Sequence, residues 1–134
     1  TYWETGRERS EFKWNNYQSR YHERHTDLME VFSRYQARAV AKLDEVAQLC
    51  GLPGKLGMSG ALVWDYFQQG KLAEIRDYCE TDVMNTWLLF LRFERIRGHL
   101  DATEYANEIQ RVRDYLTPSQ AAHWQAFNAA WVGE

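Results

Sequence analysis

The sequence predicts a mostly α-helical chain with at most one or two short strands, and three observations carry that reading. The stretch Leu72 to Gly98 has no proline and no internal glycine, and its apolar residues recur at three- and four-residue steps, as in one long helix. Two later segments, Asp101-x-x-Glu104 and Thr117-Pro118-Ser119-Gln120, carry helix-start chemistry. Glycine and proline fall between segments, at Gly51-Leu52-Pro53, Gly70 and Gly98, where helices stop.

The first residues, Thr1 to Arg24, show no helical period. Tyr2, Trp3, Phe12, Trp14, Tyr17 and Tyr21 alternate with Arg7, Arg9, Lys13, Arg20 and Arg24. Rings that stack on bases and cations that meet phosphates suit single-stranded nucleic acid. A surface connection whose aromatics pack on the domain is the favoured reading, since Glu4, Glu8, Glu11 and Glu23 dilute the charge. His25 to Phe32 reads as a strand ending near Asp27 that runs into a short helix. Asp27 is then either a half-buried acid or a helix N-cap.

Leu43 to Cys50 reads as a short helix with Leu43, Val46, Ala47 and Cys50 inward and Gly51 as its left-handed stop. Gly54 to Gly60 is a glycine-rich loop carrying Lys55, without the terminal Lys-Ser/Thr of a phosphate-cradling P-loop. Ser59 is placed to cap a helix over Ala61 to Gln69, with Leu62, Val63, Tyr66 and Phe67 as contacts. On the long helix, Leu72, Ile75, Cys79, Val83, Trp87, Phe90 and Leu91 form the expected inward stripe. Tyr78 and Asp82, four apart, are neighbours on its flank. Beyond it, a capped helix is expected over Ala102 to Leu116. A last one starts at Thr117 and runs to about Trp131, its inner face being Ala121, Ala122, Trp124, Phe127, Asn128 and Trp131.

Composition narrows the function classes. At 134 residues the chain can bury a real core. A net charge of −3 gives no global basic field toward nucleic acid or anionic lipid. The longest apolar run, Trp87 to Leu91, is too short to cross a bilayer. The opening residues are polar and charged rather than signal-like. Cys50 and Cys79 read as reduced core residues of a cytoplasmic protein. His22 and His25 are three apart but lack a matching Cys or His pair, so they make no zinc motif. There is no Ser or Cys nucleophile signature and no dinucleotide fingerprint.

What remains is Tyr78-Cys79-Glu80-Thr81-Asp82-Val83, and here the residues resemble a known family. The run is similar to the third motif of the DnaQ-like, DEDDy-type 3′–5′ exonucleases. It most resembles the predicted bacterial exonucleases related to the proofreading domain of family B DNA polymerases. His25-Thr26-Asp27-Leu28-Met29-Glu30-Val31, Leu43-Asp44-Glu45-Val46-Ala47 and Gly51-Leu52-Pro53-Gly54-Lys55-Leu56-Gly57-Met58 fall in that family's order. The resemblance implies a three-layer, RNase H-like α/β fold in the parent protein. It implies hydrolysis of single-stranded 3′ ends, DNA more than RNA, with Mg2+ or Mn2+ in a two-metal site. By the same resemblance Asp82 is a metal ligand, Tyr78 orients the attacking water, Asp27 is a supporting acid and Lys55 a weak substrate contact. The implied layout is a connecting segment over 1–24, the C-terminal part of the exonuclease domain over 25–100, and a helical extension over 101–134.

The family's first motif, Asp-x-Glu, and its second, Asn followed by an aromatic and Asp, should precede residue 25. Residues 1–24 contain no Asp. The chain opens with Thr1, so the expectation is a C-terminal part lacking those acids and inactive alone, with a homodimer as one way to cover the surface left open. Two other classes stay open: a non-catalytic helical interaction module, and a relative that binds nucleic acid without cutting it.

Overall fold

The computed structural model describes residues 25–34, 36, 38 and 41–132, and every regular element among them is helical. The aromatic and basic segment 1–24, His22 included, lies outside the described residues. The chain divides into two compact units, Thr1–Val40 and Ala41–Glu134.

In the first unit, α1 spans Leu28–Phe32. The strand expected before it is not formed: residues 25–27 are irregular and exposed. Asp27 instead takes the extended N-cap conformation, and its Oδ1 accepts the N–H of Met29 at 2.9 Å and of Glu30 at 3.2 Å. Two of the amide groups that a helix start leaves unpaired are thereby satisfied. Exposure also removes the half-buried acid expected at this position.

In the second unit, α2 spans Leu43–Leu49. Gly51, at φ 72°, turns the chain back so that Leu52 N–H reaches Ala47 O at 2.9 Å. This is the expected stop, and a β-carbon would disfavour it. Ala47 is fully buried, whereas Cys50 is only half-buried. A 3-10 turn over Gly60–Leu62 leads into α3, Val63–Gln68. Ser59 precedes that turn but makes no capping bond through its side chain. Leu62 and Phe67, expected as contacts, are exposed.

The long helix forms as read: α4, Leu72–Ile96, is 25 residues without a break. Its orientation differs from the expectation. The buried positions are Thr81, Asn85, Leu88, Leu89 and Leu91. Leu72, Cys79, Val83 and Trp87 are exposed, with Val83 at 68%. Two residues of helix turn the side chain through about 200°, so Val83 and Asn85 face opposite ways. The inner face of α4 thus includes a polar amide and a hydroxyl, and hydropathy alone selects the wrong side.

α5 spans Ala102–Leu116 and starts with the expected capping box: Asp101 Oδ1 accepts from Glu104 N–H, and Glu104 Oε2 accepts from Asp101 N–H, both at 2.8 Å. Thr117 ends this helix rather than beginning the next, its hydroxyl donating to Arg113 O at 2.7 Å. α6, Ala122–Ala130, starts later than expected, behind Ala121. α4 is touched by α2, α3, α5 and α6, and α5 also packs on α6. Tyr105, Ile109, Val112 and Leu116 of α5 are buried, as are Trp124, Phe127 and Trp131 at α6. Trp124 and Trp131 each meet Phe127 edge to face, with centroids 5.8 and 6.3 Å apart, a favoured aromatic geometry. No described helix is long and apolar enough to cross a membrane.

Candidate active site

Tyr78 and Asp82 lie one turn apart on α4, both half-buried. The Tyr78 hydroxyl is close enough to the Asp82 carboxylate to feel its charge, and the phenol oxygen lies beside Gly60, at the start of the 3-10 turn. Burial first, and the Asp82 carboxylate second, push the Tyr78 phenol up to about 12. Near neutral pH this side chain is therefore an un-ionised donor, not a phenolate. Thr81 and Thr86 turn their hydroxyls back on the same helix, donating to Tyr78 O and Asp82 O at 2.9 Å.

The glycine-rich loop is fixed beside this pair from two sides. Asn85, 1% exposed, accepts Gly54 N–H through Oδ1 at 3.2 Å and donates through Nδ2 to Gly54 O at 2.9 Å and Thr81 O at 3.1 Å. Asp44 Oδ1, on α2, accepts Lys55 N–H at 2.7 Å and Gln48 Nε2–H at 3.0 Å. Gly54 has φ +65°, and a β-carbon there would come within 2.5 Å of Asp44 Oδ1. The loop, α4 and α6 enclose a cavity of about 370 Å³, lined by Leu56, Met58, Asp77, Tyr78, Thr81 and His123 among others.

The structure thus sets Tyr78 beside Asp82 and brings the loop that carries Lys55 to α4. The contact shown for Lys55 is through its backbone. Asp27 belongs to the first unit, where it caps α1. Asn85 and Asp44 were not among the residues singled out for a role. A signal for Asn85 was present: an asparagine at the i+4 position from Thr81 amid Leu88, Leu89 and Leu91, inside a long helix, is a poor helix former whose amide needs partners. Nothing local marks Asp44 as a loop anchor rather than a first-turn acid.

Asp82 offers the hard oxygen that a magnesium- or manganese-type ion prefers. Among the described residues it belongs to no group of three side chains close enough to share an ion. The donor type suits such an ion, and one carboxylate alone does not make a site.

The family model for predicted 3′–5′ exonucleases related to the exonuclease domain of PolB matches residues 1–131. The chain belongs to that family, which makes its class a hydrolytic nuclease and nucleic acid its class of substrate. Neither the curated proteins nor the solved structures contain a match to it.

Proposed function

We propose that this chain supplies one wall of a 3′–5′ exonuclease centre that trims single-stranded 3′ ends, DNA before RNA, within an RNase H-like α/β parent domain. Asp82 is its metal ligand and Tyr78 its water-positioning residue. The observation that carries this is the placement of Tyr78 and Asp82 one turn apart on α4 in a chain of this family, both half-buried, with the loop held by Asn85 beside them.

Mg2+ or Mn2+, when bound, supplies charge stabilisation and a more acidic water. The protein's own part is orientation. The Tyr78 hydroxyl stands beside the Asp82 carboxylate. As a neutral phenol it can donate to or accept from a water near that carboxylate, but it is not the general base. Lys55 is suited to a terminal phosphate as a point charge on a flexible stem. Asp27 serves as a supporting acid while capping α1. Asp27→Asn keeps a good cap and removes the charge, so in the intact enzyme its rate tests the charge alone.

Two-metal sites draw on several carboxylates, and among the described residues Asp82 shares no ion-sized cluster with others, which supports an inactive chain. The exposed stripe Leu72, Cys79, Val83 and Trp87 is the surface on which the parent's sheet, or a second copy, would lie. The layout 1–24, 25–100 and 101–134 is retained within this reading, as is a cytoplasmic location. The test has two arms. The purified 134-residue chain should release no nucleotides from a 3′-labelled strand with Mg2+ or Mn2+. In the intact protein, Asp82→Ala should abolish turnover, and Tyr78→Phe should cut it strongly while largely preserving metal affinity. Wild-type rates for Asp82→Ala would remove the assignment.

A further inference from the structure

A second cluster of ligand-type side chains lies on α4, facing α6. Asp77 and Glu80 are three residues apart and so share a helix face. His123, in the first turn of α6, stands between them with its side chain 14% exposed. Its Nε2 is 2.8 Å from Glu80 Oε2, and its Nδ1 is 3.5 Å from Asp77 Oδ2. One ligand atom from each residue lies within 4.8 Å of the others.

We propose that Asp77, Glu80 and His123 form a binding site for a first-row divalent transition ion that pins α6 to α4. A neutral imidazole has a single N–H, so it can satisfy only one of two flanking carboxylates. An ion engages both carboxylates and the ring lone pair together. Bonds of 2.0–2.2 Å in a tetrahedral set place ligand atoms roughly 3.4 Å apart. Glu80 and Asp77 face different ring nitrogens here, so a turn of the imidazole together with side-chain shifts brings one nitrogen and both carboxylates to that spacing.

The oxygens turned away from His123 are also held. Arg76 binds Asp77 Oδ1 at 2.9 Å and approaches Glu80 Oε1 at 3.5 Å. Each carboxylate thus has one oxygen on Arg76 and the other aimed at the imidazole, as outer partners orient ligands at metal sites. Glu74 lines the same cavity as Asp77 and His123, adding negative charge and leaving room for water as a further ligand. One nitrogen with two oxygens suits zinc or manganese better than magnesium or calcium, which prefer all-oxygen sets. The site is separate from Asp82 and does not depend on the nuclease assignment. Asp77 directly precedes Tyr78, so an ion here would steady the turn that carries the tyrosine.

The probe is Zn2+ added to the metal-free 134-residue chain. One zinc per chain should survive dialysis and raise the melting temperature, and Asp82→Ala should bind it equally. His123→Ala and Glu80→Gln should each weaken binding at least about tenfold, the near-isosteric Glu80→Gln serving if His123→Ala fails to fold. X-ray absorption should show imidazole nitrogen and oxygen ligands. Absence of zinc binding at micromolar concentration, equal binding by both variants, or sulfur ligation from Cys50 or Cys79 would overturn the proposal.

Discussion

The Asn85 side chain grips Gly54 at both ends of its backbone, accepting its N–H at 3.2 Å and donating to its carbonyl at 2.9 Å. Both residues are buried, so neither backbone group has water to fall back on. Asn85→Leu keeps the branched shape and leaves these groups unpaired. Each unmet buried partner costs about 1–3 kcal/mol, so the variant should lose roughly 2–6 kcal/mol in urea denaturation. The Gly54 amide should also exchange faster with solvent. An unchanged midpoint would show that the loop is held by something else.

Gly54→Ala tests the same junction from the loop side. At φ +65° any β-carbon is strained, by roughly 1–2 kcal/mol. Here it would also come within 2.5 Å of Asp44 Oδ1 and 3.0 Å of Gln48 Cγ. The Asp44 carboxylate must then swing off the Lys55 N–H. The expected loss is the strain plus most of one charged hydrogen bond, about 3 kcal/mol in all. Removing the carboxylate as well, in Gly54→Ala with Asp44→Ala, should cost less than the sum of the two single changes, because the clash goes with it.

Which side of α4 faces inward separates what could be read locally from what could not. The helix itself, the Asp101–Glu104 box and the Gly51 stop follow from neighbours in sequence, and all form as read. The nearness of Tyr78 and Asp82 on one helix flank follows from four-residue spacing in the same way. The inward face does not, because Asn85 is buried to serve a loop 31 residues away. Thr117 likewise reads as a helix start until its hydroxyl is seen to bond Arg113 O in the helix before it. The fold of α4 gives a direct contrast. Leu88→Ala, at 1% exposure, should cost about 2–5 kcal/mol. Val83→Ser, at 68% exposure, should stay within about 0.5 kcal/mol in this chain. Reversed magnitudes in chemical denaturation would restore the hydropathy-based face.

The pH dependence of Tyr78 has a definite sign. A free tyrosine titrates near 10, and burial with the Asp82 carboxylate lifts this one to about 12. Between those values the unfolded chain releases a proton that the folded chain keeps. Stability therefore falls as pH rises through that window, and the contribution is fully present below about pH 10. Tyr78→Phe removes the titrating group, so its stability should decline less steeply over the same range. The other tyrosines are common to both proteins and cancel in the difference. Absorbance of the phenolates gives a second readout, with one late-titrating tyrosine in the wild type and none in the variant. Parallel stability curves would show that burial and the Asp82 carboxylate do not raise the Tyr78 phenol, and the water-positioning role would lose that support.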